Sequence, residues 1–192
     1  VMLLSPPPPL LFMGEEWGSR RPFLFFCDLG DDLKDAVRDG RRREFARFPE
    51  FADPQARERI PDPTAPETFL RSKLDWSEAV EPEHAEMRAF TRELLHLRHR
   101  AMVPRLRGMQ GGNGRVLGTV GAALAVAWVL GDGSRLTVIA NLGAEAADSA
   151  PPLPRPSGGL LFATHPPEDA APGDALAPWS VAFLHDETTM EG

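Results

Sequence analysis

Apolar positions along this chain fall into distinct rhythms. Leu10, Leu11, Phe12 and Met13 form a short unbroken run between Pro9 and Gly14, the pattern of a strand buried on both faces in a parallel sheet. Met87, Phe90, Leu94 and Leu97 recur at three and four residues, and Pro82 with Glu83 suits a first helical turn. A helix is predicted over Pro82 to Ala101, stopping before Pro104. In Leu124 to Leu130 and Leu136 to Leu142, branched or aromatic residues alternate with small ones, and Gly131-Asp132-Gly133-Ser134 between them reads as a hairpin turn. Arg115 to Val120, Gly159 to Ala163 and Trp179 to Leu184 supply further strands, with a proline-rich connection over Ala147 to Ser157. The pattern predicts a small antiparallel β-sandwich.

Between the first strand and the long helix, Glu15 to about Val80 is broken by Pro22, Pro49, Pro54, Pro61, Pro63 and Pro66, with one helical piece over Asp31 to Arg43. Long ordered loops of this kind usually carry function. Charge thins after Ala101, where 5 basic and 9 acidic residues follow 16 and 19 before it. A domain boundary near Val103 is expected, dividing the chain into 1–103 and 104–192. No internal repeat is visible.

With 20 prolines and 17 glycines among 192 residues, the chain is too punctuated for a helical bundle, while 42% hydrophobic and 26% charged residues are globular values. A complete (β/α)8 barrel needs about 250 residues, so no whole barrel fits. The net charge of −7 is the wrong sign for a phosphate-binding surface and argues against a nucleic-acid partner. Cys27 is the single cysteine, which excludes an internal disulfide and points to a reducing compartment, the cytoplasm by default. The opening VMLLSPPPPLLFMG has no basic start and four consecutive prolines, so it is neither a signal peptide nor a membrane span. An apolar start without Met reads as the C-terminal fragment of something longer.

Several patterns dissolve under their own geometry. Glu93, His96 and His99 share a helix face, but a metal site needs three or four converging ligands and no second cluster completes this one. Gly112-x-Gly114 with Gly118 lacks the strand before and helix after that a dinucleotide loop requires. Arg41, Arg42 and Arg43, set among Asp39, Glu44 and Glu50, read as a solvated, ion-paired helix end. Cys27 in its aromatic surroundings reads as a small packed side chain. No G-x-S-x-G, HExxH or paired CxxC occurs. Glu15 and Glu16 stand where the predicted strand ends, the end of a barrel at which chemistry collects. As neighbours on a strand they point to opposite faces, so at most one faces a pocket.

Pro9 followed by four residues and then Gly14-x-Glu16 resembles the eighth-strand segment of the α-amylase clan of glycoside hydrolases, with Pro7 where the clan usually has glycine. Within that clan FMGEEWG, PFLFFCDL, AVRDGRRREFARF and TFLRSKLDW, in this order over Pro9 to Trp76, resemble the malto-oligosyltrehalose trehalohydrolase family. Glycogen branching enzymes share the FMG-x-E and LDW elements. The resemblance implies an α/β plus all-β fold: the last strand, loop and helix of a (β/α)8 barrel, then a C-terminal antiparallel β-sandwich. It implies retaining hydrolysis of maltooligosyl trehalose, with no organic cofactor and no metal. The three catalytic carboxylates of the family precede the eighth strand, so no residue of this chain inherits a catalytic role and the missing N-terminal barrel portion is its expected partner. What this chain inherits is one wall of the sugar cleft: Glu16 at the strand end, then Trp17, Phe25, Phe26 and Asp28. Aromatic faces there would stack on glucose and carboxylates accept its hydroxyls.

The rival expectation is a non-catalytic module over Val103 to Gly192 that binds glucan or packs on a neighbour. Its aromatics are only Trp128, Phe162, Trp179 and Phe183, three of them in predicted strands on apparent core faces, which favours packing.

Overall fold

The alternating segments of the second half build one sheet in the computed structural model of the chain, which describes residues 1–51, 53–147, 158–165 and 176–187. Strands β1 (Gly114–Val120), β2 (Ala123–Val129), β3 (Arg135–Asn141), β4 (Gly159–Ala163) and β5 (Ser180–Asp186) run antiparallel in the order β1-β2-β3-β5-β4. Each strand lies within a few residues of its predicted position. The predicted sandwich is corrected to a single sheet among the described residues: β1, β2 and β3 pair in chain order, and β5 bridges β3 and β4. The β2 and β3 register runs from Ala123↔Asn141 to Val129↔Arg135 without a break. Bulges interrupt β1 between Val116 and Gly118 and β4 between Leu160 and Phe162, on the two edge strands where bulges concentrate.

Cross-strand partners share a face. Val138 lies opposite Phe183, and Leu136 and Ala140 share that face; all four are buried, Phe183 to 1% exposure. Ala123, Ala125, Ala127, Thr137 and Asn141 are buried on the other, so the centre of the sheet is covered on both sides. Trp179, predicted to open the last strand, precedes β5 instead, stands 63% exposed and has φ +54°. The Ala147 to Ser157 connection lies, after Ala147, outside the described residues.

The chain divides into two compact units, residues 11–91 and a second formed by 1–10 with 92–192. The second unit holds the sheet and a clasp that the sequence did not announce. Helix α4 (Pro82–Leu97) continues into a π-helical turn over Arg98–Met102, and Arg98 is buried there. Its guanidinium donates to the carbonyls of Leu3 (3.1 Å), Ser5 (2.5 Å), Pro6 (3.1 Å) and Pro7 (3.0 Å). Prolines have no N–H and cannot join a ladder, so a segment of this composition needs an outside donor for its carbonyls. Burial pulls the Arg98 pKa down from the ordinary guanidinium value, and the charge persists because that value starts so high. The β2–β3 turn is fixed as tightly. The Gly131 N–H donates to the Arg105 carbonyl at 2.7 Å, and a Cβ at Gly131 would drive into the Arg107 carbonyl.

The helix predicted over Pro82 to Ala101 is therefore present, with its last turn widened. Its buried residues are His84, Thr91, Leu94 and Arg98, whereas Met87 and Phe90 of the predicted stripe are exposed at the surface.

In residues 11–91, α1 (Asp31–Phe45) runs 15 residues, while α2 (Pro54–Glu58) and α3 (Pro66–Ser72) are short, as the prolines dictate. Asp31 and Asp32 at the start of α1 and Arg42 and Arg43 at its end complement the helix dipole. The strand expected at Leu10 to Met13 is not formed. Leu10 is 84% exposed, and Phe12 and Met13 are exposed as well, because a strand exists only through ladder partners and the described residues offer none here. Among the described residues no helix is long and apolar enough to cross a membrane.

Candidate functional site

The glycines that bracket Glu15 and Glu16 shape the loop. Gly14 at φ +87° and Gly18 at φ +68° turn the chain left-handed on either side of a one-turn 3-10 helix, Glu15–Trp17, which L side chains adopt only at a cost. A Cβ on Gly14 would meet Leu74 and Ser19 at 2.8 Å. The expected strand end is replaced by this 3-10 turn, in which each carboxylate folds back on a backbone N–H. Glu15 Oε2 accepts from Phe12 N at 2.8 Å, and Glu16 Oε2 accepts from Gly14 N at 3.0 Å. Glu15 is exposed and Glu16 half-buried.

Trp17 is not laid open to a ligand. It is 2% exposed, its ring lies 5.0 Å from that of Trp76, and its carbonyl is 2.8 Å from Nδ1 of buried His84. Its indole N–H has no hydrogen-bond partner among the described residues. Trp17 is the anchor of the loop, and the open ring faces belong to the phenylalanines that follow.

Phe12, Phe23, Phe26 and Phe69 form a run of edge-to-face contacts with centroid separations of 4.7, 5.8 and 5.2 Å, the geometry the ring quadrupole prefers. Phe26 is half-buried within it, whereas Phe25 is 49% exposed. The Arg41 guanidinium lies 4.7 Å from the centroid of Phe25 and 4.5 Å from that of Phe45. Asp28 is exposed, and its charge raises the Lys34 pKa as a lesser effect behind the Asp31 hydrogen bond and charge. Cys27 is half-buried, with its backbone N–H on the Pro63 carbonyl at 2.8 Å, in keeping with a packed side chain.

Polar clasps carry these side chains. Leu24 N donates to Ser72 Oγ at 3.1 Å, and buried Ser72 donates to the Thr68 carbonyl at 2.8 Å. Ser19 Oγ donates to Glu78 Oε2 at 2.9 Å, and Arg21 pairs with Asp75 at 3.0 Å. The Ser77 hydroxyl, then Arg21, hold the Asp75 carboxyl below its ordinary pKa. The Thr64 backbone N–H does the same for Asp62 against the opposing effect of burial. Sequence reasoning placed Glu16, Trp17, Phe25, Phe26 and Asp28 in one loop, but it missed Arg41 as a ring partner, Ser72 and His84. The signal for Arg41 was its i, i+4 spacing to Phe45 on α1.

Glu81, Glu83 and His84 bring their ligand atoms within 4.8 Å of one another. His84 Nδ1 is committed to Trp17, and exposed acids at a helix start are ordinary. The Glu93, His96 and His99 face lies exposed.

Comparison with known proteins follows the same lines. A solved Salmonella typhimurium structure, provisionally an alpha amylase, is 42% identical and superposes with a TM-score of 0.81 over 97% of this chain and 29% of that one. A trehalulose synthase structure matches over 96% of the chain at 19% identity and a TM-score of 0.52, which speaks for the fold alone. A family described as a domain of unknown function, DUF3459, matches residues 110–183. By fold and loop, then, the chain falls in the α-amylase class of glycoside hydrolases. The malto-oligosyltrehalose trehalohydrolase of Deinococcus radiodurans is 43% identical over 141 residues, covering 73% of this chain and 22% of its own length. That of Rhizobium sp. is 37% identical over 191 residues, covering 97% of the chain and 29% of its own length. The chain belongs to the malto-oligosyltrehalose trehalohydrolase family and spans less than a third of the length of these relatives.

Proposed function

We propose that the chain is the C-terminal part of a glycosidase that hydrolyses the α-1,4-glucosidic bond joining a maltooligosyl chain to trehalose, releasing trehalose. The observation that carries this reading is the match to the Rhizobium trehalohydrolase along nearly the whole chain. Residues 1–103 then close a (β/α)8 barrel, in which the apolar run Leu10 to Met13 is its eighth strand, and residues 104–192 are a β domain behind it. Such a barrel also supplies what the exposed apolar side chains of this run lack, neighbours on both sides.

Within the cleft, this chain lines a wall and leaves bond cleavage to carboxylates from the rest of the parent protein. Retaining hydrolysis uses two carboxyls about 5 Å apart, one as nucleophile and one as acid and then base. The Glu16 oxygen on Gly14 N fixes the carboxylate, and its second oxygen is placed to accept a sugar hydroxyl. Phe25 offers its ring to a glucosyl unit, Phe26 packs beside it in the loop, Asp28 accepts from hydroxyls, and buried Trp17 anchors the turn. A reducing compartment, the cytoplasm, suits the lone thiol of Cys27.

The full-length parent protein incubated with maltooligosyl trehalose is the test. Trehalose release is expected, and Glu16→Gln lowers kcat/KM about tenfold without changing the unfolding midpoint. Chain branching of amylose with no trehalose released would replace this reading with that of a glycogen branching enzyme.

A further inference from the structure

The Arg41–Arg43 run reads in sequence as a solvated helix end, and Arg41 does meet Glu44, with Nη1 to Oε2 at 3.2 Å. That contact leaves the larger feature unexplained. The guanidinium lies over two rings at nearly equal distances, 4.7 Å from Phe25 and 4.5 Å from Phe45. Phe45 is itself rooted, against Phe48 at 5.8 Å and Phe51 at 5.4 Å. A planar cation stacked on two rings couples the orientation of each ring to its own. Phe25 remains 49% exposed with Arg41 in place.

We propose that Arg41, stacked on Phe25, positions that ring for the glucosyl unit that lies against it, making it a positioning residue of the sugar cleft. The proposal rests on the reading of the loop as a cleft wall. A sugar that stacks on Phe25 meets a ring whose tilt is held by the guanidinium lying over it. Lysine cannot replace it, since a point charge on a flexible stem does not stack in a plane.

Steady-state kinetics of the full-length parent on maltooligosyl trehalose, with unfolding midpoints measured alongside, test the proposal through Phe25→Ala, Arg41→Met, Arg41→Lys and the Phe25→Ala/Arg41→Met double variant. Each single substitution is expected to raise KM about threefold to fivefold, with a smaller change in kcat. On the Phe25→Ala background, Arg41→Met should add little, because its partner is already gone. A raised KM for Phe25→Ala beside parental KM values for both Arg41 variants overturns the role of Arg41 and leaves the cleft wall standing. A parental KM for Phe25→Ala overturns the wall reading and the proposal together. Should Arg41→Met fail to fold, Arg41→Lys decides: a lowered midpoint with unchanged KM marks a structural residue and overturns the proposal.

Discussion

The sheet unit and the loop unit of this chain hold their shapes by different means. In the sheet, the central ladders pair in unbroken register and bury Leu136, Val138 and Phe183 on one face and small residues on the other, so backbone bonding and apolar burial reinforce each other. In residues 11–91 short helices and turns are joined by single side-chain hydrogen bonds, ion pairs and edge-to-face rings. Large apolar side chains there, Phe12, Phe23, Phe25, Leu70 and Trp76 among them, stay exposed. A region that presents apolar side chains outward while fastening itself through polar ones is built for contact with something beyond itself.

The largest effect should come from crowding the sheet unit at its tightest approach. Gly131→Ala forces a Cβ into the Arg107 carbonyl and the Met109 amide, and a loss of about 3 kcal/mol is expected in denaturant unfolding. An unchanged midpoint would show that the turn does not press on residues 105–109. Next, Arg98→Met leaves four carbonyls without their donor, at a cost of about 2–3 kcal/mol. Arg98→Lys should recover less than half of this, because one ammonium cannot span the row.

The loop unit should answer more softly. Gly14→Ala, strained at φ +87° and crowded by Leu74 and Ser19, is expected to cost about 1–2 kcal/mol. That loss should appear as faster hydrogen exchange in the loop, with β2 and β3 still protected. The smallest effect is acid sensitivity. The folded-state pKa values of Asp62 and Asp75 lie below their ordinary values, so their stabilisation is complete above about pH 4 and fades as pH falls through the depressed values. An acid titration followed by hydrogen exchange should loosen 11–91 in that window, and Asp75→Asn should flatten part of the slope.

The comparison also marks what could be read in advance. The five strands and α1 were legible because alternation and helical spacing, closed by Gly131–Ser134 or by prolines, leave little choice. Leu10 to Met13 was legible only as an apolar run, since a strand is a property of its neighbours. On α4 the apolar spacing located the helix but not its buried face, which carries His84, Thr91 and Arg98, residue types that ordinarily point outward. The loop residues were identifiable as a group, yet whether Trp17 or Phe25 keeps its ring open depends on Trp76, His84 and Arg41, each distant in sequence. The Arg98 clasp could have been suspected from the proline run alone, whose carbonyls have no ladder to join.

The contact between Trp17 and Trp76 also gives the loop unit an optical signature of its own. The chain has four tryptophans, of which Trp17 and Trp76 lie in residues 11–91 and Trp128 and Trp179 in the sheet unit. Two indoles at 5.0 Å and tilted by 45° couple their excited states and give a paired band in far-ultraviolet circular dichroism that isolated indoles lack. Loss of this coupled band on heating would therefore report, without any label, when residues 11–91 let go.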